Sequence, residues 1–83
     1  MPYISPDERE QYKYLDKILS IENKGHLEFC IFKLLKKYIS DKPFCYSILH
    51  DAVYAAIHAG DEFRRRYLDK REDEAIKTNG DIF

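Results

Sequence analysis

An all-α fold of three helices, the third long and completed by oligomerisation, is what this chain of 83 residues predicts. Three observations carry that expectation. Apolar residues recur every three or four positions rather than every two, the period of a helix face. Two clusters of breakers, Asn23-Lys24-Gly25 and Asp41-Lys42-Pro43, cut the chain into three runs. The last run carries Leu49, Val53, Ala56, Gly60, Phe63 and Tyr67 in one stripe, and Ala52, Ala56 and Gly60 leave part of it almost bare of side chains. Another backbone can approach closely there. Residues 1–83 make one domain, and a chain this short buries only about 60% of its unfolded surface, so assembly with further copies is the expected supplement to its core.

Met1 to Ile4 reads as an extended arm, because Pro2 and the approach to Pro6 both disfavour helix. Ser5-Pro6-Asp7-Glu8 is a helix start: Ser5 caps, Pro6 suits the first helical position, and Glu8 completes a capping box. The first helix is expected to reach Ser20 and to bury Tyr12, Leu15, Ile18 and Leu19. The second, from His26 to Ser40, aligns Leu27, Ile31, Leu34, Leu35, Tyr38 and Ile39, widened by Cys30 and Phe32, with Lys33, Lys36 and Lys37 on the opposite side and Phe29 among them. The third begins near Ser47 and can run to Thr78, where Asn79-Gly80 is a good stop. Such a helix is about 45 Å long. Its later half, Asp69 to Lys77, has little apolar beyond Ile76, so it stands in solvent, packs on a partner chain, or bends back after Tyr67.

A net charge of −1 argues against a general nucleic-acid binder, which carries a basic excess. Two cysteines, Cys30 and Cys45, are too few for a disulfide framework. Met1-Pro2-Tyr3-Ile4 lacks the basic start and apolar run of an export signal, and no run has membrane-spanning length. A reducing cytoplasm, free thiols and no membrane partner are the expectation.

Arg64, Arg65 and Arg66 form the densest charge cluster. The plainest reading is a solvated helix face, with Asp61 and Glu62 four residues before Arg65 and Arg66 in the favourable orientation for ion pairs. Helical pairs of that kind contribute only ~0.3–0.5 kcal/mol, however, while charge-assisted bonds to phosphate contribute ~1.5–3 kcal/mol. A phosphate can therefore compete for the arginines, and Tyr67 and Tyr54 lie near enough along the helix to offer a base a stacking face. His50, Tyr54, His58 and Glu62 form a four-residue ladder. His58 and Glu62 have the spacing of a metal pair, but no third ligand is evident, so a polar contact across an interface is the better reading. No nucleophile stands at a telling distance from a base, and Gly25, Gly60 and Gly80 do not form a phosphate loop. The residues point to a protein that is not an enzyme and takes no cofactor.

The start Met1-Pro2-Tyr3-Ile4, Gly25-x-Leu27, Tyr46-x-x-Leu49, Glu62-x-x-Arg65-Arg66, Glu72 and the ending Asn79-Gly80-Asp81-Ile82-Phe83 together resemble a family of small, largely uncharacterised proteins of bacteriophages and prokaryotes. The chain departs from it at Tyr54, where the family tends to have Gly, and at Lys70-Arg71, where it tends to have Pro-Tyr. The resemblance implies a phage source. By analogy with small phage proteins that sequester nucleotide signals of host defence, the leading expectation is a homo-oligomeric binding module. Its site draws on Arg64, Arg65, Arg66, Tyr67, Tyr54, Glu62 and His58, and its ligand is a phosphate-bearing small molecule. The alternatives are an adaptor for a host or phage protein and, against the overall charge, a nucleic-acid regulator using Lys33, Lys36, Lys37 and the arginines.

Overall fold

A computed structural model describes residues 2–18 and 20–82. Among them are three helices and no strand. The arm before Pro6 is extended, and Ser5 caps the first helix as its sequence predicts. The Glu8 amide donates to Ser5 Oγ at 3.3 Å and the Ser5 amide donates to the Glu8 carboxylate at 3.3 Å.

This first helix, α1, spans residues 6–17: one α-turn, Pro6–Arg9, continuing as a 3-10 helix, Glu10–Lys17. Three residues per turn bring positions i and i+3 into line. Tyr12, Leu15 and Ile18 have that spacing, and Lys13 Nζ meets the Glu10 carboxylate at 2.9 Å. The backbone turns extended at Ile18, short of the expected end at Ser20. The backbone of α1 packs against neither other helix. Its apolar residues Tyr12 and Leu15, and Ile18 just after it, are consequently more than half exposed rather than buried; Leu19 lies outside the described residues.

The second helix, α2, is Lys24–Ile39. Asn23, expected only to break the chain, caps it by accepting from the His26 amide at 2.9 Å, so the helix starts two residues early and takes Gly25 inside. The third, α3, covers residues 46–79 in three parts: an α-helix Tyr46–Phe63, a π-helical turn Arg64–Leu68, and an α-helix Asp69–Asn79. It neither breaks nor bends back after Tyr67. Its 34 residues account for the 50 Å long axis of the molecule. Gly80 ends it with φ +86°, a conformation that glycine adopts without a Cβ penalty, and its amide bonds the Ile76 carbonyl at 2.8 Å.

The link at residues 40–45 is short, so α2 and α3 fold into a hairpin and pack on each other. Leu35 and Ile39 of α2 and Ile48, Leu49 and Ala56 of α3 are half-buried at this contact. Only Ala52, 6% exposed, is fully buried among the described residues. Leu27, Ile31, Leu34, Val53 and Phe63, all on the predicted apolar faces, remain exposed. The chain presents 7939 Å² to solvent, whereas a compact protein of its mass presents about 5,200 Å². Its radius of gyration, 16.6 Å, likewise exceeds the ~12 Å of a compact chain of this length.

Among the described residues no helix is long and apolar enough to cross a membrane. Cys30 is half-buried on α2, Cys45 is exposed just before α3, and both are free thiols. Adding a reductant is therefore expected to leave the melting temperature unchanged. A fall of several degrees in a calorimetric scan would reveal a crosslink.

Candidate functional site

The three arginines open the π-helical turn of α3. In that turn the Asp69 amide bonds the carbonyl of Arg64, five residues back, and one extra residue is taken up. Successive side chains there are turned through less than the ~100° of an α-helix. Glu62 stands just before it. Arg65 sits three residues on and Arg66 four, and both reach the same carboxylate.

Arg65 binds it in bidentate fashion, Nε donating to Oε2 at 3.2 Å and Nη2 to Oε1 at 2.5 Å. Arg66 Nε donates to Oε1 at 2.7 Å. The arm supplies a further partner. The Tyr3 hydroxyl donates to Glu62 Oε1 and accepts from Arg66 Nη2 at 2.6 Å and Nε at 3.1 Å. The Arg66 guanidinium also lies 5.4 Å from the centre of the Tyr3 ring, within cation–π range. Arg64 pairs with Asp61 at 3.4 Å. The expected pairing of Asp61 with Arg65 is thus replaced: Asp61 takes Arg64, and Glu62 takes both later arginines.

Four donors from three residues converge on one carboxylate whose side chain is 18% exposed. Hydrogen bonds from Arg65, then Tyr3, then Arg66 favour its charged form and hold the Glu62 carboxyl down to about 2 from an ordinary 4.5. The same carboxylate raises both arginines above their ordinary value, so they stay protonated. Each guanidinium spends Nε and Nη2 inward, and neither Nη1 has a hydrogen-bond partner among the described residues. With Asp61 and Glu62 set against three arginines, the cluster keeps one net positive charge.

Beside the cluster lies an open cavity of about 500 Å³, bordered by Pro2, His58, Asp61, Glu62, Arg64, Arg65 and Asp69, so that three carboxylates and two guanidinium groups line it. It gathers four of the seven residues singled out in the sequence. Arg66 joins them through Glu62. Tyr54 and Tyr67 do not. Tyr54 stacks on His50, ring centres 4.2 Å apart, and borders a neighbouring groove with His58. Tyr67 packs on Phe63 at 4.7 Å. The aromatic residue beside the arginines is instead Tyr3, which sequence reasoning missed. Its signal was present, since an aromatic residue in a four-residue arm has no local structural role. Among the described residues no group of three potential metal ligands occurs.

Over residues 1–82 the chain matches the family described as Domain of unknown function (DUF6899), and it belongs to that family. No curated protein and no solved structure matches it.

The cluster predicts a pH dependence of defined sign. Because the folded-state value of Glu62 is depressed, its stabilising contribution is full above pH about 4.5 and is lost as pH falls through about 2. Carboxyl chemical shifts followed by NMR should place the Glu62 midpoint near 2, and Tyr3→Phe should move it upward by removing one donor. Glu62→Gln should flatten the loss of stability across that window in melts by circular dichroism. An unchanged acid profile in this variant would uncouple the cluster from folding.

Proposed function

We propose that this protein acts by binding rather than by catalysis. It is a homo-oligomeric module of phage type that holds a phosphate-bearing, nucleotide-like small molecule and so sequesters a host signal, here one that serves host defence. The observation that carries the reading is the pair of guanidinium groups fixed by Glu62, whose Nη1 amines have no hydrogen-bond partner among the described residues. A planar donor held in one orientation by a carboxylate loses little freedom on meeting a phosphate, which is why arginine is the usual residue for such recognition. A phosphate in the cavity bordered by Arg64, Arg65 and His58 competes there with Asp61, Glu62 and Asp69 for the guanidinium groups. The phage source and the link to defence come from the resemblance at both ends of the chain and from analogy.

Within one chain Tyr54 stacks on His50 and Tyr67 packs on Phe63, and neither borders the cavity at the arginines. A base stacked on either of them is therefore held between copies, whereas Tyr3 offers a ring from the same chain. The second reading, an adaptor for a host or phage protein, draws on the exposed apolar residues of α2 and α3.

The test is a melting screen with cyclic dinucleotides, linear nucleotides and ADP-ribose derivatives. A ligand at a hundred times its dissociation constant adds ~2.7 kcal/mol of stability. In a domain of this size, at ~4–8 °C per kcal/mol, the melting temperature rises by more than ten degrees. Arg65→Ala and Arg66→Ala should each abolish most of the shift. No shift across the panel would discard the nucleotide ligand in favour of a protein partner, and a shift that survives both substitutions would remove the arginines from the site.

A further inference from the structure

The hairpin of α2 and α3 leaves a groove of about 530 Å³ with no charged residue along it. Leu27, Ile31 and Leu34 of α2 and Phe63 of α3 form its walls, and Ala56 and Gly60 lie on its floor. Leu34 is 57% exposed and Phe63 65%. A Cβ built on Gly60 meets nothing within 4 Å, so the single chain has no packing reason for glycine at that position. Glycine inside a helix is otherwise unfavourable.

We infer that this groove is the seam of a two-fold homodimer, in which the leucine ridge of each copy fills the Ala56–Gly60 trough of the other. The inference rests on the oligomeric reading above and gives it a surface. Area decides between occupants. The chain exposes about 2,700 Å² more than a compact protein of its mass. Standard interfaces take about 800 Å² from each partner, and obligate ones about 1,000 to 2,500 Å². That surplus is spread over the whole chain, and with Ala52 alone buried among the described residues the fold depends on a partner that is always present. A second copy is present wherever the chain is made. Ridge and trough also share one face, as an isologous contact requires. A net charge of −1 sets up little repulsion between copies.

Sedimentation equilibrium of the full chain tests the seam. The unsubstituted protein is expected to be a dimer. Gly60→Leu, which the single chain has room for, should raise the dissociation constant roughly 5- to 150-fold. Leu34→Glu should raise it at least as much by placing a charge in the contact, while Lys36→Ala, outside the groove, should leave it unchanged. Should either groove variant fail to fold, isotope-filtered NOEs between labelled and unlabelled copies of the unsubstituted chain should join Leu34 and Phe63 of one copy to Gly60 and Ala56 of the other. A folded monomer at high concentration overturns the inference. So does a dimer indifferent to both groove substitutions, one whose intermolecular NOEs lie elsewhere, or a monomer whose groove holds a small apolar molecule by native mass spectrometry. A monomer that still responds to nucleotides would overturn the seam and keep the arginine site; a groove dimer that ignores the whole panel would keep the seam and discard that ligand.

Discussion

The contact between α2 and α3 sets the terms for the rest of the molecule. Leu35 and Ile39 approach the stretch of α3 that carries Leu49, Ala52 and Ala56, and only Ala52 is fully enclosed there among the described residues. Two helices can shield only a narrow strip of one another, so a stripe wide enough for a core leaves its outer residues in water. This explains why α2 still exposes Leu27, Ile31 and Leu34. The backbone of α1 packs on neither helix, and these side chains stay in water.

The polar site solves a different problem. The arm is tied by the Tyr3 hydroxyl to a carboxylate and a guanidinium some sixty residues further along the chain, and Arg9 Nε donates to its Ile4 carbonyl at 2.9 Å. Glu62 is the hub of that tie. It neutralises part of the arginine charge, fixes two guanidinium planes and holds the arm. The cavity beside it has Pro2 on its border as a result. The geometry of the site and the path of the arm therefore depend on the same carboxylate, and neither can shift without the other.

Much of the fold was legible in the sequence because its signals are local. The Ser5–Glu8 capping box, the breaks near residues 23 and 41, and the Gly80 stop each depend on a few neighbouring residues. Asn23 was legible as a break but not as a cap, since both roles use the same residue type. Burial was less legible. Periodicity says which face of a helix is apolar but not what covers it, and for Tyr12, Leu15 and Ile18 the single chain covers little. In the site, Glu62, Arg64, Arg65 and His58 were found from spacing along one helix. Tyr3 was not, because its partners are far away in sequence. Arg65 was given to Asp61 on the geometry of an ideal α-helix, which the π-helical turn does not follow.

That turn has a wider effect on α3. A residue taken up without advancing the helix breaks its phase, so the azimuth of every side chain from Asp69 onward is offset from the one that the stripe over Tyr46–Phe63 would have projected. The two halves are continuous as a rod but independent as surfaces. The acidic and basic residues of 69–79 can then be arranged for water without regard to where the apolar stripe points. A long helix that keeps one phase must carry a single pattern from end to end; this one carries two, and the arginines mark the joint.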